Sequence, residues 1–350
     1  MMQNFEINLN QIDKIKEITS KEKEFRLKNL ERFIATGFPN KRFEEWKFSD
    51  FKSIIDNNFK EIETKKISSD INKIELLKDF EHNYILLVNG NLNSSNFNHE
   101  ESDKIKIYSY DKSTDYKVNK NPLVCLNHAL AEGGYSLEIE QNYKFKKTLV
   151  IYNFFTKDVK NIILNNKNKI LVKKNSEVHV IDYTVDQSKF KFINNVYENI
   201  ILEKNARLKN LCVQANKSDG FFHKFLKIKS SFNSDYSNLI FSSGLKFNKL
   251  DIECDLIEQN CKCNILSALF LNENEHQEIK TCINHLAPNC KSFQKVKNVL
   301  GVESKGIFQG KIYVKDIAQK TDAYQLSKAL LLNDKAEFNS KPELEIYADD

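Results

Sequence analysis

The sequence feature that most constrains the fold is a turn motif that recurs from residue 174 onward. Residues 174–180 (K-N-S-E-V-H-V) resemble residues 204–210 (K-N-A-R-L-K-N), and residues 259–263 and 334–338 repeat the pattern. The turn positions 175, 205, 260 and 335 are 30, 55 and 75 residues apart. These gaps approximate multiples of a period of about 25–30 residues, within the range of solenoid repeats. By itself the pattern fits a β-helix and a β-meander equally well.

The start of the chain predicts a helix over residues 1 to about 36. Thr19 and Glu22 have the spacing of a capping box for a helix that begins near Ser20. Gly37 and Pro39 predict its end. Its predicted apolar face consists of Phe25, Leu30, Phe33 and Ile34.

The next hundred residues predict a mixture of elements. Residues 84–88 and 105–110 predict strands, the first ending at the Asn89-Gly90 turn. Residues 122–134 predict a short amphipathic helix closed by Gly133 and Gly134. Short strands alternate with turns from residue 135 onward. We therefore predict an N-terminal helical or mixed region over 1–134 and a β core domain over 135–350.

Composition excludes several classes of function. The 350 residues carry 53 basic and 48 acidic side chains, a net charge of +5 that is too mild to predict nucleic-acid binding. The longest apolar run, residues 149–155, is too short to cross a bilayer, and no signal-peptide pattern is present. We predict a cytoplasmic protein with no membrane contact and seven reduced cysteines. The sequence contains no Gly-x4-Gly-Lys-Ser/Thr phosphate-binding loop, so we predict that the chain is not itself a P-loop ATPase, and it contains no Gly-x-Ser-x-Gly nucleophile motif either.

Five ordered blocks occupy the last seventy residues. They are His285-x4-Cys290-x-Ser292-x-Gln294, Gly306-x-Phe308-x-Gly310-x-Ile312, A-Q-K-T-D at 318–322, L-L-L at 330–332 and K-P-E-L-E-I-Y-A-D-D at 341–350. A further block, Glu44-x-Trp46-Lys47-Phe48, lies near the N-terminus. Together these blocks resemble the SufB/SufD family of the SUF iron–sulfur cluster assembly system, and within it the SufD type.

The resemblance implies a right-handed parallel β-helix with a helical N-terminal region. It also implies a scaffold subunit that pairs with SufB as a heterodimer and with the SufC ATPase. In the family, the block at 341–350 continues with Val-Lys-Cys-Ser-His-Gly-Ala-Thr and a helical tail, so we expect this chain to be truncated at its C-terminus. The resemblance further implies that no cofactor is bound stably by this chain alone, while a transient iron–sulfur cluster or iron in the complex is possible.

The candidate metal ligands are Cys282, His285 and Cys290, with Cys261 and Cys263 upstream. Thiolate and imidazole ligands suit iron–sulfur clusters or zinc. However, free cysteine is among the most buried residue types, and His285 faces away from Cys282 if both lie on one regular strand. Metal ligation and structural burial therefore remain alternatives. For Trp46, simple anchoring by a large apolar ring is the favoured interpretation.

The last strand supplies the candidate partner interface, formed by Glu343, Glu345, Tyr347 and Asp349. Strand alternation predicts that Leu344, Ile346 and Ala348 point into the core while the acidic residues point outward. The acidic face leaves open a β-helix carbohydrate-active enzyme, and the repeat leaves open a generic interaction solenoid. The resemblance favours a non-catalytic scaffold of the SUF system over both.

Overall fold

The computed structural model describes residues 7–16, 18–64, 74–110 and 119–348. The helices are α1 Asn10–Asp13, α2 Ser20–Thr36, α3 Phe51–Asn58 and α4 Pro122–Leu130, with 3-10 turns at Glu44–Trp46 and Ser102–Lys104. The strands of the first half are β1 Asn83–Val88, β2 Asn91–Asn96, β3 Ile105–Ser109, β4 Gly133–Ile139, β5 Leu149–Phe155, β6 Ile163–Val172, β7 Glu177–Asp186, β8 Ile193–Leu202 and β9 Arg207–Gln214. Those of the second half are β10 Ser218–Ser230, β11 Asp235–Ser243, β12 Leu245–Leu256, β13 Lys262–Leu271, β14 His276–His285, β15 Lys291–Leu300, β16 Lys305–Val314, β17 Asp322–Leu331 and β18 Glu337–Ile346.

Sixteen of the eighteen described strands form two parallel stacks that the chain visits alternately from β4 onward, while β2 and β3 pair antiparallel with β1 and β4. Sheet A contains β4, β6, β8, β10, β12, β14, β16 and β18 in that order. Sheet B contains β1, β5, β7, β9, β11, β13, β15 and β17. Each turn of the chain therefore adds one strand to each sheet, and the strand pairs with its equivalent one turn earlier. This β-solenoid confirms the predicted fold class.

Asparagines in the left-handed conformation make one corner of the solenoid. Asn142, Asn175, Asn205, Asn233, Asn260 and Asn289 have φ between 54° and 62°. Asparagine tolerates this region because its short side chain can hydrogen-bond locally. Those side chains also form a ladder along the solenoid, since each Nδ2 donates to the previous Oδ1 at 2.7–2.8 Å from Asn142 to Asn233.

This corner confirms the turns predicted at 175, 205 and 260, but the grouping of position 335 with them was wrong. Lys335 stacks on Glu303 at a different corner, where Asn274 and Glu303 have φ of 56° and 55°. Lys335 itself does not have a positive φ. The two corners alternate along the chain, so a search for one period merges them.

The core lies between the two sheets. The side chains that point inward from the two sheets face each other and are buried. Those on sheet A include Ile170, Ile200, Ile228, Cys254 and Ile283, and those on sheet B include Val180, Leu208, Tyr236, Cys263 and Ile265. Burial of each large aliphatic side chain contributes about 1.5–3 kcal/mol. Consecutive turns thus share one continuous apolar interior.

The N-terminal region packs on the outer face of sheet A. Phe51 contacts Phe247, with ring centroids 5.4 Å apart. Asn127 of α4 donates to the backbone oxygens of Asn166 and Asn195, both at 2.9 Å. These contacts cover part of the sheet that would otherwise be solvated, and they position the groove described below.

The structure confirms some predicted N-terminal elements and corrects others. Thr19 caps α2, its side chain accepting from the backbone N–H of Glu22 at 3.2 Å. The helix is not continuous from the start, because α1 ends at Asp13 and residues 1–6 and 17 lie outside the described residues. Ile34 is 48% exposed, so its assignment to the apolar face was wrong.

Gly133 and Gly134 do not close the helix of residues 122–130, as the sequence had predicted, but begin β4. Gly134 has φ of 118°, and a Cβ at this position would lie 1.7 Å from the backbone oxygen of Lys167. The pair is therefore required for the close approach of β4 to β6 rather than for a helix cap.

Candidate functional site

A groove of about 1120 Å³ runs along the outer face of sheet A. Glu44, Glu45 and Asn121 of the N-terminal region line one side. The floor consists of side chains that point outward from successive turns. We call this cavity the outer groove. One column in register is Lys169, Asn199, Lys227, Glu253, Cys282, Lys311 and Glu343.

The charges on this floor pair with one another across neighbouring turns. Lys227 Nζ lies 2.5 Å from Glu253 Oε1 and 2.7 Å from Asp255 Oδ2, and Lys311 Nζ lies 2.7 Å from Glu345 Oε1. A polysaccharide-cleaving site needs carboxyl groups that converge on the substrate as acid and base or nucleophile. The carboxylates of the outer groove are instead engaged by lysines, which does not favour the carbohydrate-active alternative.

A buried charge network of His223, Lys249, Asp251 and Glu278 borders the groove. Lys249 Nζ lies 2.5 Å from Glu278 Oε1 and 3.1 Å from Asp251 Oδ1, and these three side chains are at most 6% exposed. His223 Nε2 lies 3.4 Å from Asp251 Oδ2. Gln309 Nε2 donates to Glu278 at 2.6 Å. The network thus joins β10, β12, β14 and β16 on the outside of sheet A.

Burial and ion pairing shift the pKa values of the network in opposite directions. Burial alone would lower the pKa of Lys249, but Asp251 and Glu278 raise it above its ordinary value. Burial alone would raise the pKa of Asp251, but Lys249, assisted by His223, holds it well below its usual range. Both groups are therefore charged at neutral pH, in a place where an unpaired charge would be costly.

The N-terminal block that includes Trp46 docks on this network. Lys249 Nζ lies 4.8 Å from the centre of the Trp46 ring, within the range of a cation–π interaction. The Ser49 hydroxyl donates to Glu278 and shares a 2.6 Å hydrogen bond with His276 Nε2. Burial lowers the pKa of His276 to about 4, so this imidazole is neutral at neutral pH. Trp46 is fully buried, as its predicted anchoring role requires.

The structure does not bring Cys282, His285 and Cys290 together. Cys282 faces outward into the outer groove, and its thiol donates to Asn284 Oδ1 at 3.4 Å. His285 faces inward, fully buried, with Nε2 2.9 Å from Ser292 Oγ. Cys290 is buried at a corner of the solenoid. Within residues 7–16, 18–64, 74–110 and 119–348, no three His, Cys, Asp or Glu side chains form a group that could hold a metal ion.

Three further cysteines lie in the core between the two sheets, on or next to β12 and β13. Cys254, Cys261 and Cys263 are fully buried, and hydrogen bonding to Cys263 together with burial raises the pKa of Cys254 well above its ordinary value. Burial likewise raises the pKa of the groove thiol Cys282 to about 11. A thiol that stays protonated is a poor metal ligand and a poor nucleophile.

The candidate interface lies on β18. Glu343 lies 2.6 Å from Lys341, Glu345 pairs with Lys311, and Tyr347 is 61% exposed with its ring 5.7 Å from that of Tyr313. Asp349 lies outside the described residues.

Leu344 and Ile346 stack in register on the inward residues Ile312 and Val314. They are nevertheless 62% and 56% exposed, so the prediction that they point into a core was wrong as to burial. Their direction follows the inward columns, but among the described residues no strand covers them.

Sequence reasoning missed the buried charge network and the Ser49–Glu278 contact. The sequence signal was the alternation K-L-D-I-E at 249–253, in which charged residues occupy every second position of a strand. That alternation shows a common face but not what covers it.

Among the helices of the described ranges, none combines the length and apolar character that crossing a membrane requires.

Residues 154–350, more than half of the chain, match the model of the SufBD core domain of the SUF system for iron–sulfur cluster assembly. The chain therefore belongs to the SufBD family of SUF-system iron–sulfur cluster assembly proteins.

Its similarity to individual proteins is of the SufD type. It is 22% identical over 330 residues to the iron–sulfur cluster assembly protein SufD of Escherichia coli, covering 92% of this chain and 77% of that protein. It is 23% identical over 338 residues to an iron–sulfur cluster assembly SufBD family protein of Synechocystis sp., covering 89% and 73%. It is 22% identical over 345 residues to the chloroplastic protein ABCI7 of Arabidopsis thaliana, covering 92% and 71%.

Proposed function

We propose that this chain is a non-catalytic scaffold subunit of a cytoplasmic SUF complex, paired with SufB and working with the SufC ATPase. Its membership of the SufBD family and its likeness to E. coli SufD support this role. On this proposal, iron or a nascent iron–sulfur cluster is cargo of the complex, and the chain alone holds no stable cluster.

The observation that carries the pairing is the last described turn of the solenoid. Leu344 and Ile346 on β18 continue two inward columns, and Leu331 on β17 continues a third from Leu300. All three are exposed in the described residues. An exposed strand edge with apolar side chains in register is a template for another strand. On this proposal, the solenoid of a partner extends these columns.

The paired charges of the outer groove support a role without chemistry of its own. Lys227, Lys311 and Lys341 each contact at least one carboxylate. General acid or base catalysis requires a group that can reach the substrate and exchange a proton near neutral pH. Groups locked in ion pairs serve to hold neighbouring turns together instead.

The test is co-purification of SufB and SufC with the chain and with the double variant Leu344→Lys/Ile346→Lys. We expect SufB capture to fall at least tenfold, because two charged side chains would have to be desolvated in the interface. The matched control is Leu239→Lys/Phe241→Lys, two residues of similar exposure on the outer face of sheet B. The control should capture SufB normally.

Both variants should melt within a few degrees of the native chain, since the substituted side chains are exposed. Equal capture of SufB by the β18 variant and the native chain would show that the contact lies elsewhere. The non-catalytic role predicts that ATP turnover in the complex requires SufC and is absent from the isolated chain. Turnover that persists in the isolated chain after removal of contaminating ATPases would contradict it.

A further inference from the structure

Cys261 and Cys290 occupy the same corner position in consecutive turns of the solenoid. Each follows a left-handed asparagine, Asn260 or Asn289, and each precedes the first residue of a sheet B strand, where Lys262 pairs with Lys291. The equivalent positions in earlier turns are Ser176, Ala206 and Ser234. From Ser176 to Cys290 the column holds small buried residues, whereas Tyr143 occupies the equivalent position in the turn before. Among the described turns, only the two of Cys261 and Cys290 supply a thiol at this position.

The register places the two cysteines within reach of a disulfide. Neighbouring strands lie about 4.8 Å apart, and disulfides join residues whose Cα atoms are about 4.4–6.8 Å apart. The backbone N–H of Lys291 donates to the Cys261 oxygen at 2.9 Å, so the pairing of the strands extends to this position.

The sulfur atoms also share a neighbour. Cys261 Sγ lies 3.0 Å from the backbone oxygen of Glu258, and Cys290 Sγ lies 3.2 Å from the same oxygen. The hydrogen bond between the two thiols lowers the pKa of Cys261 to about 7 and raises that of Cys290. Cys261 is thus the more readily ionised thiol of the pair and the better nucleophile, and Cys290 is the hydrogen-bond donor to it.

We propose that Cys261 and Cys290 form a reversible disulfide that closes one complete turn of the solenoid, with a low-molecular-weight disulfide such as oxidised glutathione as the oxidant. Cys261 Sγ, after losing its proton to water, attacks one sulfur of the oxidant and releases one thiolate. Cys290 Sγ then loses its proton and attacks Cys261 Sγ, which displaces the second thiolate. Two protein thiols are oxidised, one disulfide is reduced to two small thiols, and the two protons end on those thiols.

Access to the pair is through the turn above it. Both thiols are fully buried, but Glu258 and Gln259 of the covering turn are exposed. Residues 257–260 lie outside the regular strands and must open for the oxidant to enter. The reaction is therefore slower than that of an exposed thiol, and the disulfide, once formed, is shielded from reductants.

The closed turn contains β14, which carries His276 and Glu278 beneath the N-terminal region. A cross-link across one turn restricts the unfolded chain and opposes separation of the two turns. Oxidation therefore stabilises the part of the solenoid on which Ser49 docks.

The experiment exposes the native chain to oxidised glutathione, quenches with acid, alkylates free thiols in denaturant and maps the peptides. We expect a peptide cross-linked through Cys261 and Cys290 that disappears on treatment with dithiothreitol. The melting temperature should rise by about 3–5 °C on oxidation and return on reduction. Cys261→Ser and Cys290→Ser should each abolish the cross-link and the redox-dependent shift.

These variants are suited to the test because serine already occupies the equivalent position in two other turns, at Ser176 and Ser234. Recovery of Cys261 and Cys290 both as alkylated free thiols after exposure to oxidised glutathione would overturn the proposal. A cross-link from Cys261 to Cys254 or Cys263 instead would also overturn it.

Discussion

Replacement of Lys249 by methionine tests the buried charge network directly. The substitution keeps most of the apolar stem that packs under the Trp46 ring but removes the positive charge. Asp251 and Glu278 would then remain in a site that is almost inaccessible to water, without their shared cation. We expect Lys249→Met to fold less stably than the native chain.

The magnitude follows from the cost of a buried charge that has lost its partner, about 3–5 kcal/mol. The unfolding entropy of about 2.1 cal/mol/K per residue gives roughly 0.7 kcal/mol/K for 350 residues. The melting temperature should therefore fall by about 4–7 °C if the chain unfolds as one unit.

The effect of pH on the native network has a defined sign. The pKa of Asp251 is lowered in the folded state, so its contribution is present above the ordinary carboxyl pKa of about 4 and is lost as pH falls. The pKa of Lys249 is raised, so its contribution is present below about 10.4 and is lost as pH rises through the folded value. In Lys249→Met, a carboxylate without its cation gains from protonation, so the deficit should be smaller at about pH 5 than at about pH 8.

The assay is thermal and urea unfolding followed by far-ultraviolet circular dichroism and by the fluorescence of Trp46, the single tryptophan. The matched control is Lys311→Met, which removes a half-exposed ion pair with Glu345 and should cost less than about 1 kcal/mol. A Lys249→Met variant as stable as Lys311→Met would refute the reasoning, because it would mean that the network is not ionised or not desolvated.

Two further predictions concern the corner and the thiols. Asn205→Ala should destabilise the chain by about 1–2 kcal/mol more than Asn205→Gly in urea unfolding, because a φ of 59° is strained for alanine but not for glycine. Equal losses of stability in the two variants would show that the effect comes from the asparagine ladder alone. Anaerobic treatment of the isolated chain with iron and sulfide should give little stable visible absorption, because Cys282, His285 and Cys290 do not converge. Strong absorption that is lost in Cys282→Ser or Cys290→Ser would restore the metal-ligand interpretation.

Local signals in the sequence predicted local structure well. Thr19 with Glu22 set the start of α2, and Asn89-Gly90 set the turn after β1, because caps and tight turns depend on a few adjacent residues. The turns at 175, 205 and 260 were predictable for the same reason. Position 335 was not, because two corners with the same local chemistry recur at the same period.

Whether a side chain is buried depends on what covers that face of the strand, and sequence alternation does not show this. Lys224 lies on an inward column, where it contacts Asp182 at 2.8 Å and also Glu198, although its neighbours Lys227 and Lys229 face outward. Leu344 lies on an inward column and is exposed. In both cases the alternation predicts the direction of the side chain correctly but not its environment, which at Lys224 comes from residues distant in sequence.

The N-terminal and C-terminal blocks that carry the family resemblance meet in the structure. Lys341 of β18 contacts both Glu343 on its own strand and Glu44, which is 297 positions away in sequence. Ser49 contacts Glu278 of β14, two strands earlier in sheet A. The N-terminal segment thus spans the outer face from β14 to β18, the same turns that lead to the exposed apolar columns. Its residues hold these turns of the solenoid in place through packing and paired charges.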